Sequence, residues 1–303
     1  MTSTAAGTVS VIIPNLNSPV IGRTLAALAA QRDVAGDVEV IVVGRDEPGS
    51  IRPSAGVRFL DTGRPLPPAP ARNRGVAASR GAIVCFLDAD CVPAVGWLAH
   101  HLAAYADPAT AIVGGGVAFP EEDYWTLADN VASFYPVLAA TAAGERELLP
   151  SLNLSCRRSA WDRLGGFDER YPFPAAEDAD WCLRARRAGY RLRFEPGAVV
   201  HHYPSRATPA DLWRHAVRYG RYSTKVDPRY EPAGWGAVVF GHWTLTLAAA
   251  PLLALAVTGR AYVGYPAARR YWRVAPAVYL AKLGWCWGAA ERLRGRAAFG
   301  EGA

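Results

Sequence analysis

Two aspartates, Asp88 and Asp90, close an uninterrupted apolar run, Ile83-Val84-Cys85-Phe86-Leu87. Gly81 bounds the run upstream and acid bounds it downstream, which predicts a short buried strand ending at Asp88. Ligands of open α/β sheets bind beyond the carboxyl ends of the strands. Carboxylates at i and i+2 in such a place can hold a divalent cation, and Mg²⁺ or Mn²⁺ prefers oxygen donors that it shares with substrate phosphate. The same pair could instead cap a helix starting near Pro93. Arg72 lies upstream, near a helix start. Glu177 and Asp178 open a segment of helical character, Ala176 to Ala188, where the helix dipole by itself favours acid. His201 and His202 end a short strand-like stretch from Ala198, where either ring could equally be structural.

The elements that must position these groups alternate. Val9–Ile13 reads as a buried strand stopped by Pro14, with Asn15 to Pro19 as the following loop. Val20 to Gln31 has helical spacing, with Ser18 as N-cap and Pro19 at the first helical position. Val38–Val43 is a second strand, ended by Gly44-Arg45-Asp46, and Val57–Leu60 a shorter third. A Pro-rich loop from Arg64 to Pro70 leads to a helix over Ala71–Ser79, which Gly81 stops. Strand and helix in this order imply a parallel sheet covered by helices on both faces. No G-x-G-x-x-G follows the first strand, which argues against a dinucleotide site. Further along, Pro93–Tyr105 reads as a helix, Ala111–Val113 as a strand running into Gly114-Gly115-Gly116, and Tyr124–Thr141 as a helix. Ser151–Ser155 alternates like a half-buried strand, Ser159–Leu164 is a short helix, and Arg191–Phe194 and Ala198–His202 are two short strands.

The 303 residues are 51% hydrophobic, enough for a large core and too apolar for disorder. Lys225 and Lys282 are the only lysines among 33 basic residues, and the formal charge of +6 is modest. Arginine suits phosphate or an anionic membrane surface. No compact basic motif with interleaved aromatics argues for nucleic acid. Cys85, Cys91, Cys156, Cys182 and Cys286 form no C-x-x-C pair, as expected of reduced thiols in the cytosol. Met1 to Thr8 lacks the basic and apolar regions of a signal peptide.

The C-terminal part changes character. Pro209–Lys225 sets Leu212, Trp213, Val217 and Tyr219 among Arg214, Arg218 and Arg221, a pattern that suits a membrane interface or an ordinary surface helix. Val238–Thr258 is almost wholly apolar and has the length of a bilayer span, about 20 residues. Arg260 follows it, and Trp235 and Trp243 stand near its other end. Val274–Ala290 is a second, weaker candidate with Lys282 near its middle. Arg269, Arg270, Arg273, Arg292, Arg294 and Arg296 suit anionic headgroups. The expected organisation is a catalytic domain over 1–230 and a membrane-associated helical region over 231–303.

Five ordered blocks carry a family resemblance over roughly Thr8 to Tyr203: Val9–Asn17; Ala71-Arg72-Asn73-Arg74-Gly75; Phe86–Asp90; Gly165-Gly166-Phe167-Asp168; and Glu177–Arg184. Ala198–His202 adds a weaker sixth. In these the chain resembles inverting family-2 glycosyltransferases of the GT-A fold, an α/β architecture with a mixed, mostly parallel sheet flanked by helices. The resemblance implies a nucleotide-sugar donor, UDP- or GDP-linked or similar, held by Pro14, Asn17, Asp46, Arg72, Asp88 and Ala89. It implies Mn²⁺ or Mg²⁺ on Asp90, with Asp88 beside the ribose or a metal-bound water, and His201 or His202 as a further ligand. It makes Asp178 the general base and Glu177 its neighbour in acceptor binding or electrostatics. Gly166, Trp181 and Arg184 then fall on the acceptor side. Relatives usually carry paired aspartates after the second strand; Gly44-Arg45-Asp46-Glu47 departs from that, so the base is left open. The Gln-x-x-Arg-Trp signature of processive synthases is absent from Pro209–Lys225, which favours a single addition to a lipid-linked or envelope glycan acceptor. The expected location is the membrane, with the catalytic domain in the cytoplasm. A nucleotidyltransferase would carry a Gly-rich basic loop after the first strand, and an inactive membrane scaffold would lack Asp90 or Asp178.

Overall fold

The computed structural model describes residues 8–295, apart from 35, 53–55, 121–122, 228 and 231–233. Arg296 and residues 1–7 of the N-terminal stretch lie outside the described residues. The chain divides into two compact units. One holds the residues up to Ala118, Ala142–Glu169 and Glu177–Tyr203; the other holds Phe119–Thr141, Arg170–Ala176 and the chain from Pro204. Residue 230, where the sequence places a domain boundary, falls inside the second unit.

The first unit is built on a mixed sheet. Its strands are β1 Val9–Leu16, β2 Val38–Arg45, β3 Val57–Asp61, β4 Ile83–Leu87, β5 Cys91–Pro93, β6 Ile112–Ala118, β7 Gly144–Glu145, β8 Asn153–Arg157 and β9 Leu192–His202. They lie in the order β3-β2-β1-β4-β8-β6-β9-β5, with β7 beside β9. β3, β2, β1 and β4 are parallel, β8 runs against both β4 and β6, and β6 is parallel to β9. The helices of this unit are α1 Ile21–Ala29, α2 Pro68–Ala77, α3 Trp97–Ala104, α5 Arg158–Leu164 and α6 Glu177–Arg187. The central strands are apolar throughout because both their faces are covered: Val11, Ile12, Ile13, Ile41, Val42, Val84, Phe86 and Leu87 are all fully buried.

Several elements differ from the sequence expectation for definite reasons. β1 continues through Pro14 to Leu16, because its pairing with β4 stops at Ile12 and Pro14 has only β2 to satisfy. α1 begins at Ile21 with no side-chain cap; Ser18 Oγ accepts from Val20 N at 3.2 Å and donates to Ala89 O at 2.9 Å. α2 begins at Pro68, inside the expected loop, since proline is tolerated in a first helical turn. Cys91–Pro93 is a strand against β9, and α3 starts only at Trp97, behind Gly96 at φ +82°. Asp88 and Asp90 therefore cap no helix. β8 is buried on both faces, and β9 is one strand whose pairing with β6 slips between Glu195 and Val200.

The second unit is helical: α4 Tyr124–Phe134, α7 Pro209–Arg221, α8 Trp235–Val239, α9 Trp243–Val263, a 3₁₀ segment Pro266–Val274, and α10 Ala275–Gly295. Its centre is α10, which packs on α4, α7 and α9. α7 opens with a full capping box between Thr208 and Asp211. α9 starts at Trp243 rather than near Val238, because His242 accepts from Thr244 N and caps it. It has 21 residues and a mean hydropathy of 1.4 over its most apolar 18, long and apolar enough to cross a membrane. No other described helix meets both conditions, Val274–Ala290 included. Asp129, buried on α4, accepts from His215 Nδ1 at 2.6 Å and Arg206 Nε at 2.7 Å.

Candidate active site

All the acidic groups singled out above belong to the first unit. Asp88 follows the last residue of β4, and Arg72 comes up to it from α2. Arg72 is 2% exposed; its Nη2 donates to Asp88 Oδ1 at 2.5 Å and its Nη1 to Glu177 Oε1 at 2.8 Å. One planar guanidinium thus bridges the end of β4 and the start of α6, a geometry a lysine ammonium cannot supply. Burial works against its charge, yet Asp88 and Glu177, with Asp178 nearby, hold it above its ordinary value. Arg72 Nε and Glu177 Oε2 are buried and meet no protein partner. Polar atoms in that state are matched by a ligand or by ordered water.

Glu177 and Asp178 open α6 directly after Ala176, whose φ is +70°. Glu177 is buried; desolvation and then the Asp178 charge push it up to about 7, against the pull of Arg72. Asp178 is half-buried, with Oδ2 accepting from Ser151 N at 3.1 Å and Oδ1 from Ala179 N at 2.8 Å. Desolvation raises it too, and the two backbone donors and Arg72 offset only part of that. Adjacent carboxylates that share an environment in this way titrate as a pair, above the ordinary carboxylate range.

Asp90 follows two residues after Asp88 in a turn closed by Cys91 N donating to Asp88 O at 3.0 Å. The antiparallel β5–β9 ladder sets Cys91 against His202. His202 Nε2 lies 3.6 Å from Asp90 Oδ2, and Asp90, Cys91 and His202 bring three potential ligand atoms within 4.8 Å of one another. His202 is buried while Asp90 is about a third open. His201 occupies the alternate face of the strand, is exposed, and is not part of this cluster. Asp90 O accepts from Tyr203 N at 2.9 Å, which fixes the turn to β9. The Asp90 carboxylate suits Mn²⁺ or Mg²⁺, while the His202 imidazole and the Cys91 thiol suit softer ions as well. Burial and the Asp90 and Asp88 charges raise that thiol well above its ordinary range.

The expected donor residues gather at the carboxyl ends of the parallel strands. Pro14 lies within β1. Asn17 stands at φ +55° with Oδ1 accepting from Glu47 N at 2.8 Å, so it clips the β1 loop to the β2 loop. Asp46 Oδ2 accepts from Ile51 N at 2.6 Å, and its Oδ1 is buried with no partner. Arg45 is held by Asp61 at 2.9 Å and Glu47 at 3.5 Å. Ala89 is buried, and its carbonyl accepts from Ser18 and Thr24. Thr24 Oγ1 also donates to Cys91 O at 2.9 Å, pinning both sides of Asp90. Sequence reasoning missed Thr24; a hydroxyl on the apolar face of α1 was its signal.

The acceptor-side residues turn out differently. Trp181 is fully buried among Trp161 and Phe167, with Nε1 donating to Gly165 O at 3.1 Å. It is a core residue and presents no face to an acceptor. Arg184 spends its donors on Asp180, Leu164 O and Gly166 O, at 2.9, 2.7 and 2.8 Å. Gly166 lies against Asn73: a Cβ there would come within 2.6 Å of Asn73 Oδ1. Asn73 in turn grips Phe167 through both backbone groups and Glu169 through Nδ2. These residues brace the turn before α6.

The comparisons agree with this geometry. The model of Glycosyl transferase family 2 matches residues 10–139, and that of Glycosyl transferase family group 2 matches 83–287. The pre-mycofactocin glycosyltransferase of Mycobacterium tuberculosis is 37% identical over 145 residues, 45% of this chain and 30% of that one. The chain thus spans under a third of that relative's length. Glycosyltransferase AglE of Haloferax volcanii is 29% identical over 231 residues, 72% of this chain and 73% of that one. Among solved structures, the mannosyltransferase PcManGT from Pyrobaculum calidifontis, in complex with GDP-Man and Mn2+, superposes with a TM-score of 0.57 at 22% identity, covering 92% of this chain and 86% of that one. That likeness shows a shared GT-A fold. With its blocks in order on that fold and a family model spanning two thirds of its length, the chain belongs to the family-2 glycosyltransferases.

Proposed function

We propose that the protein transfers a single sugar, with inversion, from a nucleotide-diphosphate donor to a membrane-associated acceptor. The observation that carries this is the Arg72 bridge. It draws Asp88, at the donor end of the sheet, to Glu177 and Asp178, which head the base-bearing helix.

Asp178 is the general base. It takes the proton from an acceptor hydroxyl as that oxygen bonds to the anomeric carbon and the bond to the diphosphate breaks. Its half-buried state, and a pKa that desolvation raises above the ordinary carboxylate range, strengthen it as a base. Glu177 holds Arg72, and Arg72 Nε is a donor left for the diphosphate. Asp46 Oδ1 is an acceptor left for the base or ribose, in the place of the paired aspartates of relatives. Asp90 and His202 are the metal-holding pair, with Asp88 beside them; a divalent cation there supplies charge neutralisation for the departing diphosphate. The Mn2+ in the PcManGT complex supports the choice of ion. The helical second unit is the membrane contact, with the catalytic unit in the cytoplasm.

A nucleotide-sugar panel screened by thermal shift with Mn²⁺ tests the reading. One UDP- or GDP-linked sugar should raise Tm, since a ligand that binds only the folded state stabilises by mass action. Asp178→Asn should keep that shift and lose transfer. Transfer at the wild-type rate in Asp178→Asn removes the base assignment. No stabilising donor in the panel removes the enzyme reading.

A further inference from the structure

The second unit contains one long apolar helix, α9, and its two sides are unlike. Thr246, Ala250, Ala254, Thr258 and Ala261 are buried, at spacings of four, four, four and three. α9 packs on α10, on α8 and on the 3₁₀ segment, and Thr246 Oγ1 donates to Val239 O of α8 at 2.7 Å. On the opposite stripe, Leu245, Leu252, Leu255 and Val263 are exposed, Leu252 and Val263 to 74%. Residues seven, three and eight apart lie on one face of a helix. The helix therefore buries its small side chains in protein and turns its leucines outward, the reverse of a helix on a water-soluble bundle. Its occupant must be apolar over a helix length.

What lies behind α9 decides how deep it sits. Along its first half α10 meets α4, where Lys282 Nζ donates to Ala132 O at 2.7 Å. Along its second half it meets α7 at backbone distance: a Cβ on Gly288 would stand 1.9 Å from Val217 O, and one on Gly220 1.9 Å from Trp285 O. α4 and α7 carry Asp129 and His215, which with Arg206, just before α7, form a largely buried ionic cluster. They also carry exposed ion pairs, Arg214 with Asp211 and Arg221 with Glu291 of α10. If α9 crossed a bilayer, α10 and the helices fused to it would be drawn to the same depth. Those open charges would then lie in hydrocarbon, at about 3 kcal/mol each by insertion scales. The leucine stripe of α9 can enter lipid without them. Arg260 and Arg269 stand exposed at its C-terminal end and Arg294 near its N-terminal end, over the Trp243 ring, as fits anionic headgroups.

We propose that α9 lies in one leaflet of an anionic bilayer, leucine stripe down, and does not span it. This rests on the second unit being the membrane contact, and replaces the expected span over 238–258 by an in-plane helix. Both ends of α9 then stay on the side of the catalytic unit.

The test uses the full chain in bacterial cells, with single cysteines at the exposed positions Thr244 and Pro266, one at each end of α9. The native cysteines are all buried. Membrane fractionation and a membrane-impermeant maleimide are read together. The expected result is a membrane pellet, with both Thr244→Cys and Pro266→Cys labelled only after permeabilisation. Labelling of either position in intact cells overturns the in-plane arrangement and leaves the membrane contact standing. Absence from the pellet overturns the membrane contact itself. Leu252→Glu should move at least tenfold more protein to the soluble fraction without lowering Tm. Unchanged partitioning of Leu252→Glu would mean the stripe does not touch lipid.

Discussion

Arg72 donates from Nη1 to Glu177 Oε1 across 2.8 Å, and the two residues are 105 positions apart in the chain. Both are buried, so neither charge has water to fall back on. With Asp88 on the other arm, one cation faces two anions, and Asp178 adds to the excess. Removing the cation should be far worse than removing a carboxylate. Arg72→Leu is expected to cost about 3–5 kcal/mol in urea unfolding, the usual loss when one partner of a buried pair is left alone. Adding Glu177→Leu should restore part of it. Arg72→Lys keeps the charge but cannot span both carboxylates, and should lose transfer by about 10²-fold, as misplacing a catalytic group does. A double mutant no more stable than Arg72→Leu alone would mean that Glu177 does not depend on Arg72.

The carboxylate pair sets a pH dependence whose sign can be worked out. Glu177 is raised to about 7, and Asp178 is raised as well, both first by desolvation. A base must be ionised, so transfer should rise with pH along a limb placed above the ordinary carboxylate range. Asp88→Asn removes a neighbouring charge that helps to hold Asp178 up, and should move that limb to lower pH. Stability runs the other way. A carboxyl raised in the fold contributes fully below its unfolded pKa and loses that contribution as pH rises through about 7. Glu177→Gln should therefore flatten the fall in urea stability between pH 5 and pH 8. An unmoved activity limb in Asp88→Asn would mean that Asp88 and Asp178 do not interact electrostatically.

The metal assignment rests on strand alternation. His202 and Asp90 are 3.6 Å apart, whereas His201 is exposed on the other face of β9. His202→Ala is expected to weaken Mn²⁺ binding by about 10-fold or more, in the range lost when a ligand shell is disturbed. His201→Ala should leave it nearly unchanged. Titration calorimetry with Mn²⁺ in the presence of the donor nucleotide reads both. Equal losses would place the ion elsewhere than beside His202.

The sequence was legible where a signal is local. The apolar run into Asp88 reads as a strand end, and alternating strands and helices read as a parallel sheet. The elements that surprised are those decided by distant partners. Cys91–Pro93 is a strand only because β9 lies beside it, and Pro14 continues a strand only because β4 has ended. The choice between the two histidines needed that same register. Trp181 looked like an acceptor residue by its distance from Asp178, but its neighbours Trp161 and Phe167 come from other segments and close over it. The Arg72 bridge joins blocks that the sequence shows separately, and no spacing rule connects residues 105 apart. α9 was legible as apolar, but its depth depends on what α10 touches.

A buried network under the sheet makes a last prediction. His101 Nε2 lies 2.9 Å from Asn153 Oδ1, and its Nδ1 lies 2.8 Å from Ser155 Oγ. Asn153 Nδ2 donates to Gly116 O and Ala198 O, so its Oδ1 is an acceptor, shared with Trp97 Nε1. The imidazole must then carry a proton on Nε2, and with the Ser155 hydroxyl turned to Nδ1 at 2.8 Å rather than to Val113 O at 3.4 Å, the Ser155 oxygen can receive the Tyr105 hydroxyl at 2.8 Å. That set is complete for a neutral ring, and burial pushes His101 down to about 4. A group depressed in the fold contributes fully above its unfolded pKa and loses that as pH falls to the folded value. Between pH 6.5 and pH 4 the loss should approach about 3 kcal/mol by linkage. Glu177 works in the opposite sense over part of this window, so the measurement is the difference between wild type and His101→Gln. Urea unfolding at pH 7.5, 6.0 and 5.0 should show the wild type falling toward the variant as the solution is acidified. Parallel curves would mean that the ring is already protonated in the fold, and that Ser155 points its hydrogen elsewhere.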